Sequence, residues 1–108
     1  AALEPQMVDL TLPFLGPPRD AWQYPWGDLQ RAGTTLVSGS DWSVSTPNPM
    51  SAIHVAVNRR SAPGYAEGEY EAFLPEQRLD LGSALAAYTA GSAWVIVQGH
   101  VHARAPVE

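Results

Sequence analysis

Two features of the sequence predict an α/β fold with a parallel sheet. The first is an apolar, β-branched segment at residues 34–38, bounded by Gly33 and Gly39 and without polar alternation. This pattern is typical of a strand covered on both faces. The second is the order of the segments, strand, helix, strand, helix, helix, with little room for hairpins. Such alternation favours parallel strands joined by right-handed helical crossovers.

Proline, glycine and capping residues predict where each segment begins and ends. Pro5 ends the first strand because it cannot donate a ladder hydrogen bond, and Gly33 suits the C′ position of a helix. Asn48 and Pro49 suit the N-cap and N1 positions of a later helix, and Asp80 suits the N-cap of the last. The predicted elements are a strand at 1–8, a loop at 9–18, helices at 19–23 and 26–31, the strand at 34–38, a helix at 49–59, a loop at 61–78, and a helix at 81–90 that ends at Gly91 or continues through Trp94.

Side chains on the predicted helices have expected roles in packing. His54 is expected to be a helix-face or packing residue rather than a metal ligand. Arg59 and Arg60 suit the dipole at a helix C-terminus and need no partner. Trp22, Tyr24 and Trp26 form either part of the core or a platform for an aromatic or carbohydrate ligand. The apolar positions expected to face the core are Met50, Ile53, Val57, Leu81, Leu85 and Tyr88.

The composition excludes several classes of function. The 108 residues include six Arg, no Lys and eleven acidic residues, which gives a net charge of −5. This balance disfavours binding to nucleic-acid phosphates or to an anionic membrane surface. The absence of Cys excludes disulfides, Cys-ligated zinc and a thiol nucleophile. No apolar run is long enough to span a membrane, and we expect a cytoplasmic location. The chain starts without Met and enters an apolar segment at once, so we expect it to be part of a longer polypeptide.

Asp41 is the candidate catalytic residue. It follows the predicted strand in the run Gly39-Ser40-Asp41-Trp42, and functional groups of parallel α/β folds gather at the carboxyl ends of strands. Its carboxylate could serve as a metal ligand or a general base, with Gly39 allowing close approach. The alternative is that Asp41 only starts an Asx-turn after the strand. Spacing alone leaves both open.

Several ordered motifs resemble the end of an amidohydrolase barrel. The similarity is closest to the branch that includes N-substituted formamide deformylases, and it covers residues 3–94. It implies a (β/α)8 TIM barrel of the metal-dependent hydrolase type, of which this chain is the last quarter: strand 7, helix 7, strand 8 and helix 8. The matching runs are Leu15-Gly16-Pro17-Pro18-Arg19, Tyr24-Pro25-Trp26, Leu36 through Val44 with its Gly-Ser-Asp-Trp turn, Pro47-Asn48-Pro49-Met50, Ala56 through Arg60, and Pro75-Glu76-Gln77-Arg78-Leu79.

The resemblance also implies a chemistry. Asp41 would bind a divalent metal, with zinc the first candidate, and take a proton from the metal-activated water that attacks an amide-like C–N carbon of a small molecule. Trp42 would line the substrate pocket. The other ligands of the family lie on earlier strands of the barrel. The isolated chain is therefore expected to hold no metal and to be inactive, and its expected partner is the rest of the barrel or a second copy.

The sequence departs from the family pattern at three places. Ser43 stands where the family has Pro after the Asp-Trp pair, and Met7 stands where a pocket His is common. After residue 94 the likeness ends, so we divide the chain into a barrel segment, 1–94, and a divergent tail, 95–108. In that tail an apolar run predicts a strand that leads to His100 and His102. Period two would place both imidazoles on one face, either as a metal-binding pair or as solvent-facing residues.

A non-catalytic protein is the alternative to an enzyme fragment. It would be a small regulatory or interaction domain derived from an amidohydrolase-like segment and stabilised by self-association. A quarter of a barrel leaves sheet edges and helix faces uncovered. Dimers or larger assemblies, or poor folding, are therefore expected of the isolated chain.

Overall fold

The computed structural model describes residues 11–64 and 71–103, and within these ranges the chain is helical with connecting loops and no β-strand. The predicted strand at 1–8, with Met7, lies outside the described residues. Residues 11–15 are helical, so the prediction of a loop over 9–18 is wrong there. The described elements are α1 (11–15), a 3-10 turn at Arg19–Trp22, α2 (Trp26–Arg31), α3 (Pro49–Asn58), a 3-10 turn at Pro75–Gln77, α4 (Leu81–Ala86), a π-helical segment (Ala87–Gly91) and α5 (Ser92–Ala103).

The predicted helix boundaries that depend on capping are confirmed. The Asn48 side chain accepts a hydrogen bond from a backbone N–H of the first turn of α3 at 3.0 Å, and Pro49 occupies the first helical position. The Asp80 carboxylate accepts from the backbone N–H of Ser83 at 2.9 Å at the start of α4. Gly33 follows the end of α2 with a φ of 82°, a left-handed conformation that glycine adopts without strain.

The predicted strand at 34–38 is not formed. Its backbone is irregular, and its hydrogen bonds go to the helical segment rather than to another strand. The N–H of Ser38 donates to the carbonyl of Ala87 at 3.1 Å, and the carbonyl of Ser38 accepts from the Ser92 hydroxyl at 3.0 Å. Leu36 is half-buried while Val37 is exposed, so one face is covered rather than two. A strand exists only where a second strand pairs with it, and no described residue supplies one.

The chain stays helical from Leu81 to Ala103. Gly91 does not end the helix, so of the two predictions for this end the continuation through Trp94 is confirmed. Gly91 is the last residue of the π-helical segment, and it packs against the carbonyl of Leu36 so closely that a Cβ would collide with that oxygen. The prediction of a strand before His100 and His102 is wrong, since both positions lie within α5. Two residues two positions apart in a helix are separated by about 200° around its axis. The two histidine positions therefore do not share one face.

The core is small and lies between α3, α4 and Leu79, the residue before the N-cap of α4. The backbone N–H of Leu79 donates to the carbonyl of Ala56 at 3.0 Å and brings these elements together. Of the positions predicted to face the core, Met50, Leu81 and Leu85 are exposed. The buried positions of α3 and α4 include the small side chains of Ala56 and Ala84 instead. The buried cluster is Ile53, Ala56, Leu79 and Ala84, with Trp26, Leu36, Val57 and Tyr88 packed against it.

Much apolar surface is exposed on the described residues. The run from Trp94 to Val97 on α5 is exposed by 45% or more at every position. Trp42 and Val44, in the loop after the irregular segment, are also exposed. Consecutive residues of an α-helix are about 100° apart around its axis, so the four side chains from Trp94 to Val97 surround α5 rather than form one face.

Candidate functional site

Asp41 lies in a tight turn at the end of the irregular segment. Its φ is 51°, in the left-handed region, which aspartate tolerates better than most side chains. The backbone N–H of Trp42 donates to the Ser40 hydroxyl at 3.3 Å, and the N–H of Val44 donates to the Asp41 carbonyl at 2.7 Å. The Ser45 hydroxyl donates to the carbonyl of Ser40. The turn is thus held by serine hydroxyls and main-chain groups.

The carboxylate of Asp41 takes no part in this turn. It is exposed, and no described residue hydrogen-bonds to it. The side chain that binds the backbone two residues further on belongs to Ser40, so the Asx-turn that was the alternative role for Asp41 is not seen. Trp42 follows directly, with 69% of its surface exposed and a cis peptide bond to Ser43. The structure therefore presents a free carboxylate beside an exposed indole.

The described residues do not by themselves fit a metal. Within residues 11–64 and 71–103 no group of three or more His, Cys, Asp or Glu lies close enough together to hold an ion. A catalytic zinc normally takes three protein ligands, and Asp41 supplies one at most. His54 lies on α3 with its ring nitrogen Nδ1 3.3 Å from the Asn58 amide one turn later, as a helix-face residue would.

Arg59 is a buried residue whose role the sequence did not reveal. It ends α3 with a φ of 55°, and its side chain is fully buried. Its guanidinium donates to the carbonyls of Phe73 at 2.9 Å, Tyr24 at 3.2 Å and Gln23 at 3.2 Å. Burial lowers the pKa of this group. The prediction that it needs no partner is wrong for Arg59, whereas its neighbour Arg60 is exposed.

Aromatic rings enclose the Arg59 side chain. The guanidinium carbon lies 4.9 Å from the centre of the Trp26 ring and 5.5 Å from that of Phe73. The Tyr24 ring is tilted against Trp26 at 5.7 Å. Trp26 and Tyr24 therefore belong to the packed interior, which confirms for these two residues the prediction of a role in the core. Trp22 is exposed and takes no part.

Two acidic residues at helix starts have lowered pKa values. Hydrogen bonds from the Ser83 side chain and backbone, and then from Gln30, hold the pKa of Asp80 at about 2. The pKa of Asp28 is lowered first by Arg31, whose guanidinium lies 2.6 Å away, and then by a hydrogen bond from Gln77. Both carboxylates already have partners within the fold. These hydrogen bonds hold the helices in place, whereas the carboxylate of Asp41 has no partner among the described residues.

A comparison with models of protein families shows which family this chain belongs to. The model of the amidohydrolase family matches residues 1–102. The chain belongs to the amidohydrolase family. Membership implies a TIM-barrel architecture and hydrolase chemistry for the whole protein, and amidohydrolases are generally metal-dependent. Searches of curated proteins and of solved structures gave no match.

The division of the chain that we predicted after residue 94 stays a prediction. The match to the amidohydrolase family continues past residue 94, and α5 runs across that point.

Among residues 11–64 and 71–103, no helix combines the length and hydropathy needed to cross a bilayer.

Proposed function

We propose that this chain is the C-terminal quarter of a metal-dependent amidohydrolase barrel, from strand 7 to helix 8. The proposed branch is the one that includes N-substituted formamide deformylases, and the proposed reaction is hydrolysis of an amide-like C–N bond in a small molecule. Membership of the amidohydrolase family supports the reaction class. The ordered motifs around Asp41 support the placement at the end of the barrel.

Asp41 is the proposed metal ligand and general base, and Trp42 the proposed wall of the substrate pocket. The observation that carries this proposal is the free carboxylate of Asp41, held outside the hydrogen bonds of its own turn. A carboxylate with no structural task is available for an external ligand. Zinc is the first candidate, with the remaining ligands contributed by other strands of the barrel.

The isolated chain is proposed to be inactive, because the residues that the structure describes bring only Asp41 to the proposed site, and a catalytic metal needs more ligands. The exposed apolar run from Trp94 to Val97 supports a surface that meets the rest of the barrel or a second copy. No nucleic acid or membrane is proposed as a partner, in keeping with the net charge of −5. A cytoplasmic location is part of the proposal.

An assay of hydrolysis by the polypeptide that the natural gene encodes tests this proposed function. Native protein and Asp41→Asn are assayed on a panel of N-substituted formamides and related amides with added zinc. Asparagine tolerates a left-handed φ as well as aspartate does, so the turn should be kept. We expect kcat/KM to fall at least about 100-fold. Asp20→Asn, a carboxylate change outside the proposed site, is the matched control and should retain native activity.

A non-catalytic interaction domain is the second candidate. The exposed apolar run from Trp94 to Val97 on α5 favours it, since such side chains offer apolar contacts to a partner protein. The assay separates the two candidates. An interaction domain predicts that the natural gene product hydrolyses none of the amides, and that Asp41→Asn behaves like Asp20→Asn in every measurement.

A further inference from the structure

Hydrogen bonds hold the two peptide groups on either side of Asp41. The peptide group that follows is held by the backbone alone and by Ser40: the Asp41 carbonyl accepts from the N–H of Val44 at 2.7 Å, and the N–H of Trp42 donates to the Ser40 hydroxyl at 3.3 Å. In the peptide group that precedes Asp41, the carbonyl of Ser40 accepts from the Ser45 hydroxyl. Among the residues that the structure describes, only Ser45 bonds this preceding group.

The conformation that these bonds hold is one that Asp41 does not favour by itself. Its φ is 51°, in the left-handed region, where the Cβ of any residue other than glycine is crowded. The planes of the two flanking peptide groups set φ and ψ, and these two angles set the direction of the Cβ. The carboxylate adds no restraint of its own, because no described residue hydrogen-bonds to it. Its direction therefore depends on the bonds of the turn.

We infer that Ser45 is a positioning residue for the Asp41 carboxylate. This inference rests on the proposed function, in which that carboxylate is the general base. Without the Ser45 hydroxyl, the preceding peptide group turns more freely, and the carboxylate leaves its place beside the reacting atoms more often. A displacement of about 1 Å in an active site can cost about 100-fold in rate. A loosened turn therefore slows the chemical step, while substrate binding, in which Ser45 takes no part, is unchanged.

Kinetics of the polypeptide that the natural gene encodes test this role, on the amide that it hydrolyses fastest. Ser45→Ala is expected to lower kcat and kcat/KM by the same factor, at least about fivefold, the size of one net hydrogen bond. Ser45→Thr keeps a hydroxyl and should restore most of the lost rate. Ser43→Ala is the matched control and should keep the native kcat. Ser43 is exposed in the same turn, and its hydroxyl makes no hydrogen bond with a described residue.

Hydrogen exchange gives a readout that does not depend on activity. Peptide fragments that cover 40–45, followed by mass spectrometry, report the N–H groups of Trp42 and Val44, which are bonded within the turn. Ser45→Ala should speed their exchange about fivefold. Exchange in fragments from α3 and α4 should stay at the native rate, whereas a general loss of stability would speed it there too. Ser43→Ala should leave all fragments unchanged.

The possible results separate this inference from the proposed function. The inference alone is overturned if Asp41→Asn is inactive while Ser45→Ala keeps the native kcat. It is also overturned if Ser45→Ala leaves exchange at 40–45 unchanged, because the hydroxyl would then not hold the turn. Native activity of Asp41→Asn, or no hydrolysis by the native protein, overturns the proposed function and this inference with it.

Discussion

The guanidinium of Arg59 lies 4.9 Å from the centre of the Trp26 ring, and this contact joins the end of α3 to the start of α2. A cation over an aromatic face is attracted by the ring quadrupole, more strongly when water is excluded. The same side chain donates hydrogen bonds to three carbonyls in two loops. Arg59 therefore organises loops that would otherwise bury unpaired carbonyl groups.

Arg59→Ala is expected to lower the free energy of unfolding by about 2–4 kcal/mol, because three carbonyls lose their donor and a cavity opens. Urea denaturation of the purified chain measures this. Arg60→Ala removes the same side chain from an exposed neighbour and should change stability by less than about 0.5 kcal/mol. Equal effects of the two substitutions would contradict the role given to Arg59.

Gly91→Ala is expected to destabilise the chain although alanine is the better helix former. An added Cβ would collide with the carbonyl oxygen of Leu36, so α5 or the irregular segment must shift. We expect a loss of about 1–3 kcal/mol in the free energy of unfolding, against a gain of about 1 kcal/mol from helix propensity alone. The control is Gly39→Ala, where a Cβ meets open space. A more stable Gly91→Ala protein would show that this crossing is not formed.

The lowered pKa of Asp80 predicts a pH dependence of stability. Its pKa is about 2 in the fold against a usual value of 3.8, so the ionised form is favoured by folding. The stabilisation is present above about pH 4 and is lost as the pH falls toward 2. Asp80→Asn keeps a capping side chain but cannot titrate. Its stability should therefore fall less steeply than that of the native chain between pH 4 and pH 2, followed by urea midpoints; identical slopes would contradict this assignment.

The exposed apolar run from Trp94 to Val97 on α5 predicts self-association of the isolated chain. We expect light scattering after gel filtration to give at least twice the mass of the 108-residue chain. Ile96→Glu places a charge on an exposed apolar position and should shift the mass toward the monomer without loss of helix. Thr89→Glu, at an exposed polar position of the same helical stretch, should not. A native chain that elutes as a well-folded monomer would contradict the expectation.

Local signals were sufficient to predict several elements of the fold. The N-caps at Asn48 and Asp80 and the glycine at position 33 mark helix ends through hydrogen bonds and backbone angles set within a few residues. The helical conformation of 49–58 and of the segment after Asp80 follows from these signals. The turn at Asp41 is local too, but the Asx-turn proposed for it is not the one formed, because the hydroxyl of Ser40 accepts the hydrogen bond instead.

Features that depend on distant contacts could not be predicted from the sequence. Residues 34–38 have strand composition, but a strand needs a partner, and their hydrogen bonds go to the helical stretch around Ala87 and Ser92. The sequence left open whether the helix stops at Gly91 or continues through Trp94, and the close packing of Gly91 against Leu36 could not be foreseen. The burial of Arg59 depends on where the two loops fold back, which no local pattern records.

Metal content of the natural gene product tests the central claim most directly, because it requires no knowledge of the substrate. Native protein, Asp41→Asn and Asp20→Asn are purified without chelator and measured for zinc and other divalent metals beside the isolated 108-residue chain. We predict at least about one metal per native polypeptide, a clear loss in Asp41→Asn alone, and almost none in the isolated chain. Full metal content in Asp41→Asn would contradict the account, as would stoichiometric metal in the isolated chain.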